Sequence, residues 1–323
     1  MNSFGKIFRV HIFGESHGDC VGVLLDGVPA GIKIDQKELT AELKKRKPGV
    51  TGTTKRKETD LPNIRTGLFN GRTTGAPLLI TFDNKNKDSR PYEELKTTPR
   101  PGHADFSSWI KYFGFNDYRG AGHASGRLTV GLVCAGWIAK KIVKGIKIDS
   151  EFLPGGDIKK AIKQKDSVGG IVECTISKMP AGFGEPFFDS VESVLSHAMF
   201  SIPGVKGIEF GAGFECALMS GSEYNDKILD ISGKTKTNNA GGINGGISNG
   251  NDIFFRIALR PSASIGTTQE TIDLKTGKMK KINIKGDHDV CYGQRVPVVV
   301  NAVCSIVLAD LMLTRKALCV QAL

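Results

Sequence analysis

The chain has 323 residues, 40% hydrophobic and 24% charged, which is enough apolar material for a sizeable core and excludes a disordered chain. Its formal net charge of +11 favours anionic partners, either nucleic acid or phosphorylated and carboxylated small molecules. Seven cysteines without a CxxC pair, and an N-terminus lacking the apolar core of a signal peptide, lead us to expect a reducing, cytoplasmic setting.

Ile7–Phe13 and Cys20–Leu25 read as strands, and Gly14-Glu15-Ser16-His17-Gly18 lies between them. His17 is therefore expected on a loop. Pro29-Ala30-Gly31 precedes Asp35-Gln36-Lys37-Glu38, which reads as a capping box for a helix carrying Leu39 and Leu43 and stopping at Pro48-Gly49. Lys44, Lys45, Arg46, Lys47, Lys55, Arg56 and Lys57 form a basic run with no acid among them. No aromatic residue interleaves this run, so a compact anion site fits it better than single-stranded nucleic acid, which prefers stacking platforms.

Pro77–Phe82 is a further strand, and Lys85–Arg90 is a polar loop. Two more glycine–histidine clusters follow. These are Arg100-Pro101-Gly102-His103-Ala104-Asp105, with Asp105 placed to cap a helix, and Gly120-Ala121-Gly122-His123-Ala124-Ser125-Gly126-Arg127. Leu128–Val143 is apolar but short of the roughly 20 residues a bilayer span needs, and it reads as a buried helix.

The later residues repeat this plan. Ser167–Ile176 is a strand, and Pro180-Ala181-Gly182 precedes a second Asp-x-x-Glu box at Asp189 and Glu192. Its helix carries Val194, Leu195, Ala198 and Met199 and stops at Pro203-Gly204. Ser222–Asn239 is a loop, and Ile253–Leu259 is a strand. Gly286-Asp287-His288-Asp289 and Gln294-Arg295 then precede a second buried helix at Val296–Leu313. The offset of roughly 150 to 170 residues predicts a duplicated unit within one domain, with halves at about 1–150 and 151–323. Runs of strands with few helices between them predict an antiparallel α+β fold. The glycine-rich Gly241–Gly246 leads to a strand rather than a helix, and GxxxxGK[ST] is absent, so Rossmann and P-loop readings are weak.

Glycine permits close backbone approach, histidine transfers protons near neutral pH, and arginine grips phosphate or carboxylate with a planar fork. Four such histidine clusters, with Arg46, Arg56, Arg119, Arg127 and Arg295 beside turns or helix ends, point to an anionic ligand and proton chemistry. HExxH, HxxxH and paired Cys are missing, so no metal is expected. Ser16 and Ser125 lack a GxSxG elbow, which ranks a serine hydrolase low.

Taken in order, several motifs resemble the chorismate synthase family over nearly the whole chain. They are Phe13-Gly14-Glu15-Ser16-His17-Gly18, Asp26-Gly27-Val28-Pro29-Ala30-Gly31, Arg100-Pro101-Gly102-His103-Ala104-Asp105, Pro180-Ala181-Gly182-Phe183-Gly184-Glu185-Pro186, Gly241–Gly250 and His288-Asp289-Val290-Cys291 with Arg295. The resemblance implies a β-α-β sandwich of two related halves, assembled as a homotetramer. It implies a lyase that turns 5-enolpyruvylshikimate 3-phosphate into chorismate and phosphate by trans-1,4 elimination. Reduced FMN would be the cofactor, with NADPH as a candidate reductant, and neither nucleic acid nor membrane would be a partner.

By the same resemblance, His17, His103, Ser16 and Asp310 take catalytic positions. His17 sits by the leaving phosphate and His103 by the flavin. Arg46, Arg127 and Arg295 bind substrate. FMN lies against His123, Ala124, Ser125, Pro203, Gly204, Gly245, Arg260, Pro261, Ser262, Ala263, Ser264 and Asp287. Two common family arginines are replaced here, by His123 and Asp287, and His123 is expected to keep a flavin contact. The alternatives are an FMN-binding homologue without activity and a basic nucleic-acid-binding protein.

Overall fold

Apolar residues alternate along the strands, and this puts one face of each sheet inward. In the computed structural model, which describes residues 2–49, 51–53, 58–284 and 288–319, they build two main antiparallel sheets. The first holds Ser3–Phe4 (β1), Arg9–Gly14 (β2), Cys20–Asp26 (β3), Asn63–Ile64 (β4) and Leu78–Asp83 (β5), in the order β1-β2-β3-β5-β4. The second holds Lys147–Pro154 (β6), Gly170–Ser177 (β7), Val205–Phe210 (β8) and Ile253–Leu259 (β9), in the order β8-β9-β7-β6. Leu78, Ile80 and Phe82 on β5, and Ile253, Phe255 and Ile257 on β9, are fully buried at every second position.

Helices fill the space between the sheets. Gln36–Lys44 (α1), Thr129–Lys140 (α2), Val191–Met199 (α3) and Pro297–Leu318 (α4) carry most of that layer. α2 packs on β3 and on α4, α4 packs on β6, and α1 and α3 flank this central pair. The result is the expected α+β sandwich of sheet, helices and sheet. α4 is long and apolar enough to cross a membrane, yet Val299, Val300 and Ala302–Asp310 are buried in the protein core.

The two sheets follow the same chain path. In each, a hairpin (β2-β3, β6-β7) leads to a helix (α1, α3), then an edge strand (β4, β8), an inner strand (β5, β9) and a long apolar helix (α2, α4). α2 and α4 meet closely at Gly136, where an added Cβ would lie 2.3 Å from the Cα of Ala302. Gly136→Val is therefore expected to destabilise the protein by about 3 kcal/mol through overpacking. An unchanged urea midpoint would refute that close approach.

Local details differ from the sequence reading. Asp35 caps α1 by accepting from the Lys37 and Glu38 amides at 2.8 and 3.1 Å, but Glu38 turns away to pair with Lys141. At α3 the cap is Ser190, which accepts from the Ser193 amide, while Asp189 pairs with Lys6. A 3-10 turn at Phe187–Asp189 moves the helix start past Asp189. The first long strand begins at Arg9 rather than Ile7, because the amides of Lys6, Ile7 and Phe8 all donate to the Asp310 carboxylate.

Candidate active site

Residues from both halves line a cavity of about 850 Å³. That is within the range of roughly 300–1,000 Å³ typical of ligand sites. Its wall carries Arg46, Lys47, Arg100, Arg127, Arg260 and Arg295, against the acids Glu58, Asp60, Asp88 and Asp289. The balance is cationic, as an anion site requires.

Asp60 organises the deepest cations. Only 2% exposed, it accepts from Arg46 Nη2 at 2.9 Å and from Arg127 Nη1. Asp289 pairs with Arg295 Nη2 in the same way. Burial pulls the Arg46 guanidinium below its ordinary pKa, against the pull of Asp60. The Nε groups of Arg46 and Arg295 are buried with no hydrogen-bond partner among the described residues. Unmet donors beside a cavity are open to an anionic ligand.

His17 follows β2 on the expected loop and is 4% exposed. Its Nδ1 lies 3.0 Å from Ser89 Oγ, and its ring meets Tyr92 edge-on at 5.1 Å. Gly120 makes room for it. A Cβ at Gly120, where φ is +56°, would lie 2.5 Å from His17 Cδ2. Gly120→Ala is expected to displace the ring and to cost about 100-fold in kcat, the scale of an ångström's misplacement. Steady-state rates equal to those of the parent protein would rule this out.

His103 belongs to a separate ionic cluster. Its Nδ1 lies 2.7 Å from Asp105 Oδ1, and Asp105 also accepts from Arg100 Nε and Nη2. Arg100 reaches on to Ser264 Oγ at 3.1 Å. Burial works against the charged Asp105, but the bonds from Arg100 and His103 win and hold the carboxyl well below its usual range. Asp105 is thus an ion-pair partner and not the helix cap that the sequence suggests. Burial, helped by Arg100, pulls the His103 pKa down despite Asp105.

A depressed histidine pKa means that the unfolded chain binds the proton better. The associated stability is therefore complete above the unfolded value of about 6.5 and is lost as pH falls from there through the folded pKa. His103→Gln should flatten that part of the profile of urea midpoint against pH. An unaltered slope would count against a buried neutral ring.

Ser16, His17, Arg46, His103, Ala124, Ser125, Arg127, Pro203, Gly204, Arg260, Ser262, Ala263, Ser264 and Arg295 all line the cavity. Four expected residues do not, and each has a physical reason. Asp310 stands apart from this wall, with its carboxylate taken up by the backbone amides of residues 6–8, which fastens the N-terminal segment to α4. His123 also stands apart, with its Nδ1–H donating to the Gly14 carbonyl at 2.8 Å and its Nε2 3.0 Å from Asn2 Oδ1. Gly245 is exposed at the turn of a hairpin formed by Ile243–Asn244 and Ile247–Ser248. Pro261 is displaced by its neighbours Arg260 and Ser262, which take the wall positions. Asp287 and Arg56 lie outside the described residues.

Asp60, Asn84, Tyr92 and Asp289 are among the residues to which sequence reasoning assigned no role. Asp289 stood in a quoted motif and could have been found there. The other three carry no local signal.

Fold and cavity together define an enzyme site for a small, multiply anionic substrate. Comparison with known proteins gives the particular family. The family model described as "Chorismate synthase" matches residues 8–153 and 155–313. A relative named chorismate synthase from Chitinophaga pinensis is 56% identical, with 98% of each chain covered. Others of that name, from Dehalococcoides mccartyi and Pyrococcus abyssi, are each 44% identical and cover 97% of this chain and 96% and 98% of their own. A solved structure titled "Crystal Structure of Chorismate Synthase" shares the fold with a TM-score of 0.72 and 24% identity, over 97% of this chain and 93% of that one. The chain belongs to the chorismate synthase family, and its activity is the lyase step that forms chorismate.

Proposed function

We propose that the chain converts 5-enolpyruvylshikimate 3-phosphate to chorismate and inorganic phosphate by trans-1,4 elimination, in a cavity that also holds reduced FMN. One observation carries this reading: the buried His17 lines the same cavity as Arg46 and Arg127 held on Asp60, and the Nε donors of Arg46 and Arg295 have no partner among the described residues. The substrate carries one phosphate and two carboxylates, and this set of arginines matches it.

In the reaction a ring C–H bond breaks and its electron pair enters the ring as a new C=C bond while the existing one shifts, the C–O pair leaves with phosphate, and the ring proton released balances the one that phosphate takes up. Arg46, Arg127 and Arg295 bind and orient the substrate. His17, beside Ser16, donates a proton to the departing phosphate and so makes it a better leaving group. The wall at Gly204, Arg260, Ser262, Ala263 and Ser264 fits a flavin phosphate and ring. It offers a guanidinium, two hydroxyls and small residues. Held there, reduced FMN would supply an electron-rich surface to the breaking C–O bond, in a reaction with no net redox change. His103 beside it holds the protonation state of that region.

The matching order of β2-β3-β5-β4 and β6-β7-β9-β8 supports our proposal of one domain built from duplicated halves, about 1–150 and 151–323. Family likeness supports a cytoplasmic homotetramer. The deciding assay supplies 5-enolpyruvylshikimate 3-phosphate and dithionite-reduced FMN without oxygen and follows chorismate and phosphate together. Equal amounts of both establish the reading. FMN binding with neither product favours an inactive homologue. Repeating the assay with NADPH and oxidised FMN shows whether the protein reduces its own flavin.

A further inference from the structure

We infer that Asn84 is a positioning residue that sets the His17 loop against Arg127. Asn84 does not line the cavity and is 5% exposed, yet its amide is fully used. Its Nδ2 donates to the carbonyls of Glu15 at 2.9 Å and Gly18 at 3.1 Å, the two ends of the turn that carries His17. Its Oδ1 accepts from Arg127 Nε at 3.0 Å, while Arg127 reaches Asp60 and through it Arg46. One side chain thus joins the loop bearing the proton donor to the guanidinium pair that grips the anion. The backbone N–H of Asn84 donates to the Asp19 carbonyl at 3.0 Å, so the side chain leaves a fixed point at the end of β5. Glutamine is a methylene too long for this span, and aspartate lacks both donors.

The inference rests on the lyase reading, and the test separates the two. Asn84→Asp keeps an acceptor for Arg127 Nε and loses both donors to the loop. In the lyase assay it is expected to lower kcat about 10- to 100-fold, with KM within about 3-fold, because substrate binding keeps its arginine and proton donation loses its geometry. In a His17→Ala background the same change should cost less than about 3-fold, since residues acting through one another are not additive. An equal loss in both backgrounds, or no loss in either, overturns the inference.

A second readout needs no turnover. With the Tyr92 ring 5.1 Å from the His17 ring, the His17 ring protons should carry a ring-current displacement, and in Asn84→Asp they should move toward exposed-histidine values. Unchanged shifts overturn the inference. An inactive wild-type protein would sink the lyase reading, while the NMR comparison still decides the role of Asn84.

Discussion

Replacing His17 with alanine is expected to lower kcat by about 10²- to 10⁴-fold and to leave KM nearly unchanged, the signature of a lost general acid. The ring lines the cavity and is almost fully buried. Ser89 holds Nδ1, Tyr92 supports the ring edge, and Gly120 clears the space that the ring occupies. These constraints fix its position before substrate arrives, so little ordering is needed at the reacting bond. The arginines that bind the anion do not depend on His17, and this is why KM should hold. A variant with wild-type kcat would remove His17 from the mechanism. A raised KM with unchanged kcat would make it a binding residue.

Asp60→Ala should cost about 3–5 kcal/mol of stability, the scale seen when one partner of a buried ion pair is removed. The carboxylate is nearly inaccessible and stands between two arginines that are themselves 9% and 7% exposed. Without it, two buried guanidinium groups face each other with no negative charge. An anion in the cavity can supply that charge. Inorganic phosphate should therefore raise the melting temperature of the variant by more than that of the parent, through ligand linkage. A small stability loss, or equal phosphate stabilisation in both proteins, would mean that the two arginines are not held by Asp60 in this way. The substitution also separates stability from catalysis, because phosphate-rescued protein can be assayed for the remaining rate.

Some of the site was legible early because it is written in short contiguous patterns. Gly14–Gly18 shows its histidine on a loop after a strand, since an isoleucine- and phenylalanine-rich run ends at glycine there. Pro203-Gly204 shows a chain reversal because proline ends the preceding helix and glycine allows φ of +96°. The surroundings of Asp310 were not legible, for the opposite reason. An acid in a long apolar helix looks functional, and only the folded chain shows three backbone amides of the N-terminal segment surrounding it. The surroundings of His123 were hidden in the same way, because a Gly-Ala-Gly-His pattern does not reveal that both ring nitrogens are engaged by Gly14 and Asn2.

Alone, the sequence determined the α+β class, the buried helices, the glycine–histidine loops and the family, all of which rest on periodicity and on motifs a few residues long. Only the tertiary structure decided that Asp60 joins Arg46 to Arg127, that Asn84 ties Arg127 to the His17 loop, and that Asp310 and His123 serve the N-terminal segment. These bonds join residues 67, 43, 304 and 121 positions apart in the cases of Asp60–Arg127, Asn84–Arg127, Lys6–Asp310 and Asn2–His123. A hydrogen bond depends on distance and direction in space, and at such separations local residue order constrains neither.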